Sequence, residues 1–143
     1  MSWLLDGNVI VALLIDNHPH YQRATTWFST LIDPVVTCAV TEGTYLRLHM
    51  QMAADRSASA AWQSLADFQS NPRHRFIDDG FSYEDVSNKG IHGHKQVTDA
   101  WLAQLARRHG TRLATLDAGL VATHPDVGFL IPDLAIPAVS RGT

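Results

Sequence analysis

The chain has a single cysteine, Cys38, so no intrachain disulfide is open to it. Set in Val35-Val36-Thr37-Cys38-Ala39-Val40, that thiol reads as a reduced core residue rather than a reactive one. Long apolar runs are missing too: none approaches the roughly 20 residues of a membrane span. The start, Met1-Ser2-Trp3-Leu4-Leu5-Asp6, lacks the basic stretch of a secretory signal, so the expected location is the cytoplasm, with no membrane partner. Charge is scarce at 17%, and 11 basic residues against 14 acidic give a net charge of -3, which argues against indiscriminate binding to polyanions. A nucleic-acid function therefore needs a local basic patch. Glutamate is rarest of all: twelve acids are Asp, and only Glu42 and Glu84 are Glu. Helix surfaces prefer Glu to Asp, so most Asp belong in caps and loops, and any inside apolar sequence need another reason.

What is present is apolar. At 45% over 143 residues it suffices to bury the core of one domain, taken as residues 1–143. Trp3 to Leu5 reads as a strand, followed at Asp6-Gly7-Asn8 by a helix from Val9 to Ile15 with Asn8 as its N-cap. Tyr21, Ala24, Trp27/Phe28 and Leu31 share one helix face. A strand at Pro34 to Cys38 leads to helices at Val40 to Met52 and Ala58 to Phe68. Residues 69–96 are the least legible, with one short strand at Arg75 to Ile77. A helix from Val97 to His109, closed by Gly110, precedes a strand at Arg112 to Leu116, and Gly128 to Ile131 is an edge strand. Short, wholly apolar strands alternating with helices imply an α/β fold, a parallel sheet of four to five strands covered on both faces.

Four acids interrupt or abut these apolar segments: Asp6 and Asp117 end strands, Glu42 opens the helix after the second strand, and Asp99 lies in the first turn of the late apolar helix. Ligand crevices of open α/β sheets lie beyond the carboxyl ends of the strands, where all four can converge. Clustered carboxylates raise one another's pKa, and a divalent metal removes the conflict. An all-oxygen donor set favours Mg2+ or Mn2+ over zinc. Such a site lowers the pKa of bound water and places it against a phosphodiester. Taken singly, each acid also has a structural reading, as turn residue, helix cap or first-turn acid.

These residues resemble the PIN domain, and within it the small VapC-like toxins of bacterial toxin–antitoxin pairs. The resemblance rests on Leu4-Leu5-Asp6-Gly7-Asn8-Val9, His18-Pro19-His20-Tyr21-Gln22-Arg23-Ala24 with Trp27, Thr41-Glu42-Gly43, Val97-Thr98-Asp99-Ala100-Trp101-Leu102-Ala103 and Leu113-Ala114-Thr115-Leu116-Asp117-Ala118-Gly119-Leu120. It implies a three-layer α/β/α PIN-like fold and a metal-dependent endoribonuclease, with Asp6, Glu42, Asp99 and Asp117 as catalytic acids holding Mg2+ or Mn2+. Asn8 and Thr115 match positions that orient the first and last acids. Gly7 departs from the relatives, many of which carry a larger residue there. It is expected to loosen the turn without removing a ligand. A VapB-like antitoxin, with the helices around Tyr45 to Met52 and Trp62 to Phe68 as its groove, and a homodimer are further implications.

RNA needs positive charge near the acids. The stretch Gly90-Ile91-His92-Gly93-His94-Lys95 directly precedes the Asp99 helix, so His94 and Lys95 are expected to touch substrate. The Arg107-Arg108-His109 cluster reads as a solvated helix face. His92 and His94 lack a third soft ligand for zinc. A helix directly after Asp6 argues against an RNase H-like nuclease, and Gly7 and Asn8 stand where a phosphotransferase would carry its second acid. The remaining alternative is a catalytically silent scaffold that binds RNA or protein. Single-stranded loops are the expected RNA target, since unstacked bases are accessible there.

Overall fold

Trp3, Leu4 and Leu5 are all buried, and a strand with apolar side chains on both faces needs a cover on each. A computed structural model, which describes residues 1–134, provides both; residues 135–143 lie outside the described residues. The elements in chain order are β1 (Trp3–Leu5), α1 (Gly7–Leu14), α2 (Tyr21–Ser29), β2 (Val35–Thr37), α3 (Ala39–Met52), α4 (Ala58–Gln69), β3 (His74–Phe76), α5 (Val97–His109), β4 (Arg112–Thr115), α6 (Ala118–Thr123) and β5 (Gly128–Leu130). All strand pairs are parallel in the order β3-β2-β1-β4-β5, so β1 is central and the two least apolar strand candidates are edges. Trp3, Leu5, Val35 and Ala114 pack into one core with α1 to α4. Leu4, Val36 and Leu113 pack into the other with α5 and α6. The three-layer α/β/α fold with a five-stranded sheet is as expected, and no helix among the described residues is long and apolar enough to cross a membrane.

One cap is corrected. Asn8 does not cap α1; it is the second residue of the helix and exposed. Asp6 holds the N-cap position, its carbonyl accepting the N–H groups of Val9 and Ile10 at 2.9 and 3.3 Å. The Asp6 N–H still donates to the Ala114 carbonyl at 2.9 Å, so the chain passes from strand to helix with no intervening loop. Gly7 does not loosen a turn either. A Cβ there would meet Thr44 Cγ2 at 2.5 Å and Thr44 Cβ at 2.8 Å, so its missing side chain lets α1 and α3 pack closely.

The 69–96 stretch is anchored by contacts distant in sequence. Phe81 stacks on Trp101 with ring centroids 5.2 Å apart, and the Arg108 guanidinium covers Phe81 with its carbon 4.6 Å from the ring centroid. Arg107 is likewise not simply solvated, since it is paired with Asp126 at 2.6 Å. Arg112, at the start of β4, reaches the edge strand, its guanidinium donating to the Gly128 carbonyl of β5 at 2.9 Å.

Candidate active site

The carboxyl ends of β1 and β4, neighbours in the sheet, bring Asp6 and Asp117 together, and the first turn of α5 adds Asp99. Thr115 joins the first two. Its buried hydroxyl donates to Asp6 Oδ2 at 2.8 Å and accepts the Asp117 N–H at 3.0 Å. The orienting role expected of Thr115 thus has a geometric basis at both acids. Asp117 also caps α6, its Oδ1 accepting the Gly119 N–H at 2.8 Å. The cap reading and the site reading are both satisfied, because one carboxylate has two oxygens.

Electrostatics couples the three aspartates. Asp99 is pushed up to about 6, first by burial and then by the charges of Asp6 and Asp117. Asp6, only 7% exposed, is raised by burial and by Asp117, against the lowering effect of its hydrogen bonds from Thr115 and Gly7. Among the described residues the ion pairs are Arg23–Asp133 and Arg107–Asp126, and none involves these three acids. They feel one another's charge, yet among the described residues no three acid, imidazole or thiol groups converge closely enough to hold a metal ion as they stand. The donor set still fits a hard divalent cation. It is all carboxylate oxygen, without an ion-pair partner, and at Asp6 and Asp117 it is tied from behind by hydrogen bonds as ligating carboxylates usually are.

Glu42 is held by its own set of partners. Its Oε2 accepts from Thr37 Oγ1 at 2.7 Å and Gln69 Nε2 at 2.8 Å, and His74 Nε2 lies 2.7 Å from the same Thr37 hydroxyl. Burial lowers the His74 pKa, while the Glu42 charge works in the opposite direction. Oε1 has no hydrogen-bond partner among the described residues. Thr37, Gln69 and His74 escaped the sequence reading because α4 and β3 reach Glu42 only through the folded sheet. Asn8, expected to orient Asp6, has no side-chain hydrogen bond among the described residues, and nothing there brings it to that carboxylate.

Asp99 and Asp117 line a cavity of about 250 Å3 with Lys95, Gln96, Gly119, Leu120, Thr123 and His124. Lys95 is therefore where the sequence puts it, beside the acids. His94 is exposed and does not line this cavity. One consequence concerns stability alone. Thr115→Val leaves the Asp117 N–H and a buried Asp6 oxygen without a partner, so a loss of about 1–3 kcal/mol is expected in chemical denaturation. Thr115→Ser, which keeps the hydroxyl, should lose much less; a Thr115→Val variant as stable as wild type would show that the bridge contributes nothing.

A parallel three-layer sheet that gathers unpaired aspartates from β1, β4 and α5 at its carboxyl end defines a PIN-type domain, and the chain belongs to the PIN domain family, whose pattern matches residues 3–124. Its relatives within that family are VapC ribonucleases. Ribonuclease VapC29 of Mycobacterium tuberculosis is 42% identical over 132 residues, covering 92% of this chain and 98% of that protein. Among solved structures, the fold is similar to that of VapC20 of Mycobacterium tuberculosis, described as a sarcin-ricin loop cleaving toxin (TM-score 0.67, 17% identity, 85% of this chain and 94% of that one). It is also similar to VapBC2 from Rickettsia felis bound to a DNA fragment from their promoter (TM-score 0.62, 16% identity, 91% and 98%).

Proposed function

We propose that this chain is an endoribonuclease toxin of the VapC type, hydrolysing phosphodiester bonds in RNA with Mg2+ or Mn2+ held by Asp6, Asp99 and Asp117, and by Glu42 through its free Oε1. The observation that carries the reading is the trio of aspartates without an ion-pair partner, Asp6 and Asp99 raised by burial and neighbouring carboxylates, with Asp99 and Asp117 lining one cavity beside Lys95. A bound divalent cation supplies Lewis-acid chemistry, acidifying water and neutralising charge that develops on the phosphate. The protein's own part is orientation. Thr115 fixes Asp6 and the Asp117 backbone, the Gly119 N–H fixes Asp117 Oδ1, and Thr37 with Gln69 fixes Glu42 Oε2. Each holds one oxygen so that the carboxylate meets a ligand in a set direction. Lys95 offers a point charge to a substrate phosphate.

By the kinship with VapBC pairs, a VapB-like antitoxin is the partner of this toxin, and a second copy of the chain completes a homodimer. The apolar side chains of Trp62 and Met50, exposed on α4 and α3, suit such contacts. The direct test is incubation of the purified protein with total RNA and a single-stranded RNA oligonucleotide. Cleavage is expected with Mg2+ or Mn2+ and is expected to vanish in EDTA and return on adding excess metal. Undiminished cleavage in EDTA would overturn the metal role. Binding of RNA without cleavage in any metal would leave the silent scaffold as the better reading. Induced expression without antitoxin should arrest bacterial growth.

A further inference from the structure

Beside the acid cavity lies a second, larger one of about 620 Å3, whose lining includes Lys89, Gly90, His92 and Arg107. Gln96, Thr123 and His124 line both cavities, so the two adjoin across a shared wall. We propose that this second cavity is a subsite for the nucleotide flanking the cleaved bond of a single-stranded RNA, with Lys89 on its phosphate. The proposal rests on the ribonuclease reading of the neighbouring acids.

Charge distribution over the two cavities supports it. The chain has two lysines in all, Lys89 and Lys95, and each lines one of the two adjoining cavities. Both are exposed, and neither ammonium has a hydrogen bond or ion pair among the described residues. The arginines, by contrast, are largely committed to structure: Arg23 to Asp133, Arg73 to the Leu31 carbonyl, Arg107 to Asp126, Arg108 to the Phe81 ring and Arg112 to the Gly128 carbonyl. No acid lines the larger cavity among the described residues. A strand laid across both cavities therefore passes from the acid end, where the cut is made, to an end where an uncommitted ammonium awaits the next phosphate.

The wall is built to hold a shape. Gln96 Oε1 accepts the His92 and Gly93 N–H groups at 2.6 and 3.1 Å, pinning the loop to the start of α5. Gly90 turns that loop at φ 83°, where a Cβ would sit 3.3 Å from Thr123 Cγ2. On the opposite side the Arg107 guanidinium donates to His124 Nδ1 at 3.2 Å, which places the imidazole proton on Nε2. That N–H has no partner among the described residues and is a donor for a base edge or a ribose oxygen. The volume falls in the range of small-ligand pockets, roughly 300–1,000 Å3, sufficient for one nucleotide.

The experiment is the salt dependence of KM for a fluorescein-labelled single-stranded RNA oligonucleotide in Mg2+, across a KCl series. Lys89→Ala is expected to raise KM about fivefold at low salt and to shrink the slope of log KM against log salt by about 0.7, the value for one lost phosphate contact on a single strand. Lys89→Arg keeps the charge and should keep the slope. Arg56→Ala, a charge lost from the loop between α3 and α4, serves as the control for net charge and should leave the slope alone. If wild-type protein cuts the oligonucleotide and Lys89→Ala shows the wild-type KM and slope, the subsite is wrong while the nuclease reading stands. An equal loss of slope in Arg56→Ala would also overturn it, since the effect would then be one of net charge. Failure of wild-type protein to bind or cut RNA at all overturns both.

Discussion

Asp99→Asn should lower RNA cleavage by about a thousandfold while making the metal-free protein less sensitive to pH. The two effects have one origin. Asp99 is pushed up to about 6 by burial and by Asp6 and Asp117, from an ordinary value of 3.8, so the fold favours its protonated form. A group raised in the folded state contributes stability that is complete below the unfolded value and is lost as pH rises through the folded one. In EDTA the wild-type melting temperature should therefore fall between about pH 4 and pH 7 through this group. An asparagine side chain cannot titrate, so the variant should lack that part of the decline and melt above wild type at pH 7. Saturating Mg2+ should raise the wild-type curve at pH 7 and the variant's much less. A variant with the wild-type pH profile would show that Asp99 is not the strained group, and a variant that still cuts RNA at the wild-type rate would remove it from the chemistry.

Gly7→Ala is the second substitution expected to act strongly, and its sign runs against helix propensity. Alanine is ordinarily favoured over glycine in a helix by about 0.5–1 kcal/mol. Here the added methyl lies 2.5 Å from Thr44 Cγ2 and 2.8 Å from Thr44 Cβ, and both atoms are close to the α3 backbone on a stiff β-branched side chain. Overpacking of this kind costs about 1–3 kcal/mol, or about 3–10 °C in melting temperature for a domain of this size. Thr44→Ala removes Cγ2 and leaves the Cβ, so the double variant should regain part of the loss. A double-mutant cycle is expected to show coupling of about 0.5–3 kcal/mol. A stabilised Gly7→Ala would mean that α1 and α3 separate at no cost. Because Gly7 follows Asp6, any separation also tilts the first acid, and cleavage should fall along with stability.

The sequence carried much of this arrangement because its signals are local. The α5 boundaries, Val97 and His109, are where the apolar spacing and Gly110 put them. All five strands lie within a residue or so of the segments that marked them, and the inner ones were the plainest, since a strand buried on both faces must be largely apolar. Asp6, Asp99 and Asp117 stood out as charges in apolar surroundings, and the fold brings them together at one sheet end. What escaped was non-local. Nothing near Glu42 announces Gln69 or His74, and a glycine that serves helix contact is indistinguishable in sequence from one that serves a turn. The Phe81, Trp101 and Arg108 stack that organises the 69–96 stretch joins residues with no shared periodicity. The large cavity beside the acids depends on that loop being in place.

The Thr115 hydroxyl and the Asp6 carboxylate are 109 positions apart in the chain, and β1 cannot meet β4 before both exist. During synthesis the first acid therefore waits for all 109 of those positions to be made. A nascent chain halted before Arg112 has the Asp6, Glu42 and Asp99 positions but lacks the strand that completes the centre of the sheet. For an enzyme whose proposed substrate is RNA, made on a machine built of RNA, this order of assembly keeps the cutting centre incomplete until β4 has been made.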